Sequence, residues 1–218
     1  HRAYPYPKMN LRLRRPAIWA LAIAATTATL VGATVVPSSA TTGQVGGASA
    51  PRTTTNANGS FVFRTANGIV PTWESSDVRI TGVSPGSAIS NFSNTGIEVT
   101  LPIVAVNGSA NFASGGFRLT NVATGDFVNC ATPVIDTKAK VVDCVTQGGI
   151  NRRIFVIRSI ASKSNIYGSY TRTTIYRGMR LRVANTLMAD FLNKALDVNI
   201  FSPYVTFATG ELTVNTRR

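Results

Sequence analysis

The sequence predicts a mainly β protein: an antiparallel β-sandwich or barrel-like domain with one C-terminal amphipathic helix, at about 185–196. Three observations carry that expectation. Short apolar–polar alternations recur from residue 60 onward, Gly and Asn punctuate them, and one stretch alone switches to helical spacing.

Phe61-Val62-Phe63, Val78-Arg79-Ile80, Ile97-Glu98-Val99 and Phe117-Arg118-Leu119 each fit a half-buried strand, in which alternate side chains face opposite ways. Leu101 to Val106 is more continuously apolar, as a strand covered on both faces would be. Turn signals at Asn67-Gly68, Pro85-Gly86, Asn107-Gly108 and Gly115-Gly116 separate these pieces. Pro71 opens a short helical turn through Trp73. Ile154 to Ile157, Tyr167 to Tyr176 and Met179 to Val183 continue the strand pattern, and Leu212 to Val214 supplies a last strand. Between Asn185 and Leu196 the period changes. Leu187, Met188, Phe191, Leu192, Ala195 and Leu196 fall on one helical stripe, with Asp190 and Lys194 on the wetter side. Asn185 suits the N-cap, where its side chain can accept from exposed backbone N–H groups. A stripe of this kind faces a core, so the helix is expected to close the β domain.

The organisation read from composition is upstream residues plus a signal peptide over 1–40, a flexible spacer over 41–59, and a single β-rich domain over 60–218. Met9 to Ala40 has the order of an export signal. Arg12, Arg14 and Arg15 form a positive start, Ala17 to Val36 carries no charge, and Pro37-Ser38-Ser39-Ala40 offers small residues for cleavage. The competing reading is an uncleaved membrane anchor. Either way the domain is expected to be secreted or held at the cell surface. Thr41 to Gly59 is rich in Thr, Gly, Ala and Asn and offers too little apolar surface to offset its ordering entropy.

Cys130 and Cys144 are the only cysteines. They flank a polar Asp136-Thr137-Lys138 centre, and a hairpin turning at Thr137 sets them opposite each other, near enough for a bridge. In an exported protein such a pair is expected to be oxidised. A metal centre would need further ligands, and the only histidine is His1. No metal and no cofactor is expected.

The chain has 22 basic and nine acidic residues; five of the basic ones precede Ala40, leaving 17 and a net charge of about +8. No acid lies between Asp143 and Asp190. That interval holds Arg152, Arg153, Arg158, Lys163, Arg172, Arg177, Arg180 and Arg182, with Tyr167, Tyr170 and Tyr176 among them. Strand alternation turns Arg180 and Arg182 away from Met179, Leu181 and Val183, and sets Arg172 on the face of Tyr170 and Tyr176. One reading is an anion-binding face, with guanidinium groups on phosphate, sulfate or carboxylate and Tyr170 and Tyr176 stacking. The other is a solvated sheet surface whose Arg stems cover apolar neighbours. An anionic cell-wall polymer or a membrane surface is the expected partner, and nucleic acid is not. Oligomeric state is left open.

The missing residues bear on chemistry. With no histidine after His1, acid–base work by imidazole, a Ser-His-Asp triad and a Cys-His pair are excluded from the domain. No enzyme is expected. The catalytic alternative is a carboxylate-dependent glycan hydrolase using Glu74 with Asp77, or Glu98 with Glu211.

Leu101-Pro102-Ile103-Val104, Ser114-Gly115-Gly116-Phe117, Ala189-Asp190-Phe191-Leu192-Asn193-Lys194-Ala195-Leu196, Phe201 and Thr206 to Val214 resemble a group of exported, β-rich bacterial surface domains of actinobacterial type. Similar domains accompany HtaA-type haem-uptake modules. The resemblance implies a non-catalytic secreted binding or structural domain, or a carrier or adhesin for haem or an anionic ligand. This chain departs from the group's pattern before the Gly-Gly turn, where Ala113-Ser114 stand in place of a His, and at Asp197 in place of a Gly. No haem ligand is carried over.

Overall fold

The computed structural model describes residues 54–90 and 96–217. The export signal at Met9–Ala40 and residues 41–53 of the spacer lie outside the described residues.

The described chain forms β1 (Thr55–Thr65), α1 (Ile69–Glu74), β2 (Val78–Val83), β3 (Ser87–Ser90), β4 (Ile97–Asn107), β5 (Ala110–Ala113), β6 (Gly116–Asn121), β7 (Phe127–Asp136) and β8 (Val141–Val145). It continues through β9 (Asn151–Ser159), β10 (Ser162–Tyr167), β11 (Thr171–Val183), α2 (Thr186–Ala195) and β12 (Ala208–Arg217). Eight antiparallel strands, in the order β7-β5-β4-β1-β12-β11-β9-β8, close into a barrel because β8 pairs back onto β7. Closure leaves no free edge in the ring, and of the two all-β forms expected it is the barrel that is present. Two strands fork. The first half of β7 pairs with β6 and its second half with β5, while β4 divides between β3 and β5 in the same way. The wall therefore splits at one end around β6, β2 and β3. A Cβ on Gly116 would lie 2.0 Å from the Cys130 carbonyl oxygen, so β6 meets β7 there only through a glycine.

Alternate inward residues fill the barrel. Phe61, Phe63, Phe117, Phe155 and Phe207 are all buried, and the ring pairs Phe63–Phe117 (edge-on), Phe117–Phe155 (stacked) and Phe155–Phe207 (tilted) have centroids 5.4, 6.1 and 4.4 Å apart. Rings of this size each withdraw roughly 150–250 Å² from water, and offset or edge contacts suit their quadrupoles. Trp73 of α1 extends the chain of rings to Phe207 at 5.2 Å and Phe201 at 5.8 Å. The short turn expected at Pro71–Trp73 is thus a real helix whose Trp plugs the barrel.

The amphipathic helix is present as α2, but it is not the C-terminal element: β12 follows it and completes the ring. Asn185 caps it, accepting from the Met188 N–H at 2.9 Å. Met188, Ala189, Leu192 and Leu196 are buried, but Leu187 is 80% exposed, so the packed stripe is narrower than the spacing predicts. Asn121 Nδ2 donates to the Leu196 carbonyl at 2.8 Å, tying the end of α2 to β6. Asn193 holds the irregular segment beyond: its Oδ1 accepts from the Ile200 and Phe201 N–H groups at 3.0 and 2.9 Å.

Further differences follow from local causes. Among the described residues strand pairing begins at Thr55, ahead of Ser60; residues 55–59 are polar or small but pair through backbone with β12 and β4, which needs no apolar side chain. In β4, Leu101 and Ile103 are buried while Val104 is 47% exposed, so the apolar run faces the core on one side only. Tyr167 to Tyr176 is not one strand: the chain reverses at Gly168–Tyr170 between β10 and β11.

Cys130 and Cys144 are disulfide-bonded, with Cα atoms 5.0 Å apart. Their placement differs from the expected one. Asp136 pairs with Val141 and Ala131 with Val145, so the hairpin turns over Thr137–Lys140 rather than at Thr137 itself, and the bridge runs diagonally between β7 and β8. The register shifts between Ala131 and Val134, and the Cα separation at this irregularity lies within disulfide range. Both cysteines are buried and belong to the core.

Candidate functional site

The basic block does not form one face. Its division is set by a β-bulge in β11. On the near side Tyr176 pairs with Leu212, and on the far side Met179 pairs with Gly210, so Arg177 and Gly178 form the bulge. Gly178 has φ 64°, and a Cβ there would lie 2.6 Å from the Ala161 Cβ. Residues paired across a ladder share a face. Leu212 and Val214 point into the core, so their partners Tyr176 and Thr174, and Arg172 two residues further on, lie on the inward side of the sheet. Beyond the bulge the parity inverts: Met179, Leu181 and Val183 are buried, and Arg180 and Arg182 face outward. The expected opposition between Arg180/Arg182 and the Met179/Leu181/Val183 side is present. Arg172 belongs to a different face from Arg180 and Arg182.

On the inward side, β10 contributes Lys163 opposite Tyr176, Asn165 opposite Thr174, and Tyr167 opposite Arg172. Asn165 Oδ1 accepts from Arg172 Nη2 at 3.1 Å and from the Thr174 hydroxyl at 2.9 Å, which holds the guanidinium over this face. Lys163 Nζ lies 5.2 Å from the centre of the Tyr176 ring, and the Arg172 guanidinium 5.9 Å from that of Tyr167. Lys163 and Arg172 have no carboxylate partner among the described residues. Tyr170 is in the turn, not on the strand face with Arg172 and Tyr176 where alternation had set it.

At the foot of the hairpin, a recess of about 540 Å³ is lined by Ser109, Lys138, Ser162, Lys163 and Tyr176 among others. Asp136 organises its rim. Burial works to raise the Asp136 carboxyl pKa, but the Ala139 N–H, the Ser109 hydroxyl, the Lys138 N–H and the Lys138 charge outweigh it, and the net shift is downward. The bonds are 2.8 Å from Ala139 and Ser109 and 2.9 Å from Lys138. The ionised carboxylate thereby locks the β7–β8 turn against the β4–β5 turn and fixes the backbone that carries Lys138.

The remaining arginines are spread over the barrel. Arg153 pairs with Asp143 at 3.1 Å and Arg177 with Glu211 at 3.0 Å, while Arg158 and Arg180 have no ion pair among the described residues. Arg152 is half-buried near the helical end, its guanidinium 4.3 Å from the centre of the Phe191 ring, and there it covers α2. The Nε atoms of Arg152 and Arg182 are buried without a hydrogen-bond partner among the described residues.

The carboxylates considered for hydrolysis fall in two places. Glu98 bonds Arg64 at 2.6 Å, and Glu211 bonds Arg177, both in exposed pairs on the barrel wall. Glu74 and Asp77 line a separate cleft of about 390 Å³ with Trp73, Val78 and Ile80. No group of three metal-ligating side chains occurs among the described residues. No helix among them is long and apolar enough to cross a membrane.

Strand parity made Arg172 and Tyr176 legible as partners. Asn165 was missed as a site residue, and Lys163 was counted in the basic block without being set opposite Tyr176, because β10 was not separated from β11; Gly168-Ser169 between alternating runs is the turn signal that could have found this.

The fold and the site together define a small antiparallel barrel with a cationic, aromatic hairpin face. The barrel is similar to the haem-binding protein HtaB of Corynebacterium glutamicum, at 9% sequence identity over 76% of this chain and 98% of that one, with a TM-score of 0.43. A likeness at that level carries no argument about ligand. No protein-family profile matches the chain, and no curated protein matches it significantly.

Proposed function

We propose that the protein is a secreted or cell-surface binding domain, without a catalytic role, that holds an anionic ligand on the inward face of the β10–β11 hairpin. The observation that carries this reading is the convergence of Lys163, Arg172, Asn165, Tyr167 and Tyr176 on one acid-free face, with Lys138 across the recess. Cations beside aromatic rings, with no carboxylate partner among the described residues, suit phosphate, sulfate or carboxylate groups. Arg172, already held by Asn165, loses less freedom when it binds. The disulfide supports an oxidising compartment. Retention on immobilised polyphosphate through a salt gradient tests the site. Lys163→Glu combined with Arg172→Glu is expected to weaken retention about tenfold or more, since the local field changes sign. Arg180→Glu with Arg182→Glu on the other face should have a far smaller effect. Unchanged, salt-insensitive retention of the first double variant would sink the reading.

A further inference from the structure

The anion-binding face accounts for one side of the hairpin and leaves its tip unexplained. From Ala161 to Arg172 every residue except Ser164 is exposed, so neither face of this stretch is covered by the barrel. A turn kept in water needs only small and polar residues. Here Ile166 is 58%, Tyr167 57% and Tyr170 82% exposed, around Gly168 and Ser169. These side chains add almost nothing to the core. Just behind them stand Lys163 and Arg172, with Arg217 paired opposite Thr171.

We propose that the tip of the β10–β11 hairpin docks on an anionic lipid bilayer, with Ile166, Tyr167 and Tyr170 at the boundary of the hydrocarbon and the cations at the level of the phosphates. This rests on the anionic-ligand reading and names the surface that presents the anion. The charge complementarity is one-sided: no acid occurs between Asp143 and Asp190, so nothing on the hairpin repels a negative leaflet. Tyr suits the interface because its ring is apolar and its hydroxyl stays wet. Lys and Arg stems extend their heads to the phosphates while the tip beyond them enters the acyl boundary. A soluble polyanion matches the cations equally well but offers Ile166 and Tyr170 no apolar surface. That difference favours the bilayer.

The test places a reporter at the tip of the full chain. Trp19→Phe removes the exchangeable background, leaving buried Trp73 as a constant, and Tyr170→Trp supplies the probe. On phosphatidylglycerol vesicles the probe emission is expected to move to the blue and to be quenched by lipids brominated near the headgroup, with a much weaker response on pure phosphatidylcholine. Adding Ile166→Ser and Tyr167→Ser should lower partitioning about tenfold, as lost interfacial apolar area predicts. Probe emission on vesicles identical to that in buffer overturns the proposal. So does emission already blue-shifted in lipid-free buffer by a dimer formed along the β10 edge that pairs with no strand among the described residues. If the tip stays in water while polyphosphate retention still falls with Arg172→Glu, the ligand is a soluble polyanion and only the bilayer docking fails. If the tip inserts while polyphosphate is not retained and Arg172→Glu changes nothing, the anionic-ligand reading fails instead.

Discussion

At the helical end of the barrel, Trp73, Phe201 and Phe207 are buried together, and Asn121 and Asn193 hold irregular backbone by satisfying its polar groups. At the hairpin, a regular ladder of backbone hydrogen bonds carries side chains none of which is buried, and those of β10 apart from Ser164 are exposed. Irregular backbone is therefore packed at one end of this molecule, while a regular ladder at the other leaves side chains open for contact. The contrast follows from what each segment buries. Segment 197–207 gains its order from two aromatic rings and an asparagine, whereas the outer part of the hairpin, residues 161–172, gains it from strand pairing and contributes little to the core.

Four changes sharpen or break that contrast. The largest effect is expected at the core: Phe155→Ala removes a ring 4.4 Å from Phe207 and should cost about 3–5 kcal/mol by urea unfolding, while the folded fraction keeps its retention on polyphosphate. Replacing Cys130 and Cys144 together by Ala should cost roughly 3 kcal/mol, since the bridge spans a separation of 14 residues. A stability equal to the parent under oxidising conditions would show that the bridge is not closed in solution. Gly178→Ala joins the two regions in one test. A left-handed φ and the contact with Ala161 should cost about 2–3 kcal/mol, and the loosened hairpin should lose retention along with stability. The smallest effect is expected in acid. Asp136 has a lowered carboxyl pKa in the fold, so its contribution is complete above the unfolded value of about 3.9 and is lost as pH falls through the folded one. Asp136→Asn should flatten that part of the acid-stability curve; an unchanged curve would remove the turn lock.

The contrast also explains what the sequence made legible. Inward alternation at Phe61/Phe63 and Met179/Leu181/Val183 was readable because burial on one face imposes a period of two. Asn185 was readable because an N-cap is a local matter of one side chain and a few N–H groups. The closure of β8 onto β7 was not, since no short-range pattern records which strands meet around a ring. Gly178 reads as one more glycine until the register shows Tyr176 and Met179 both facing inward. Without that bulge, Arg172, Arg180 and Arg182 count as one patch; with it they divide between two faces. Phe201 and Phe207 carried no periodicity to mark them as core, because they lie in segments whose path is set by Asn193 and Trp73 rather than by repeat.

The pairing of β1 with β12 has a consequence for how the molecule is assembled. Phe61 meets Leu212 in that ladder, so two segments far apart in sequence must find each other before the ring is complete. Loop-closure entropy has to be overcome before such a contact rewards the chain, and proteins built on distant pairings reach the native state slowly. A nascent chain halted before Ala208 would carry β1 with one unmatched edge and a core open along the same side. The barrel is thus finished only when its β12 segment has been made, and until then the aromatic interior has no wall on that side.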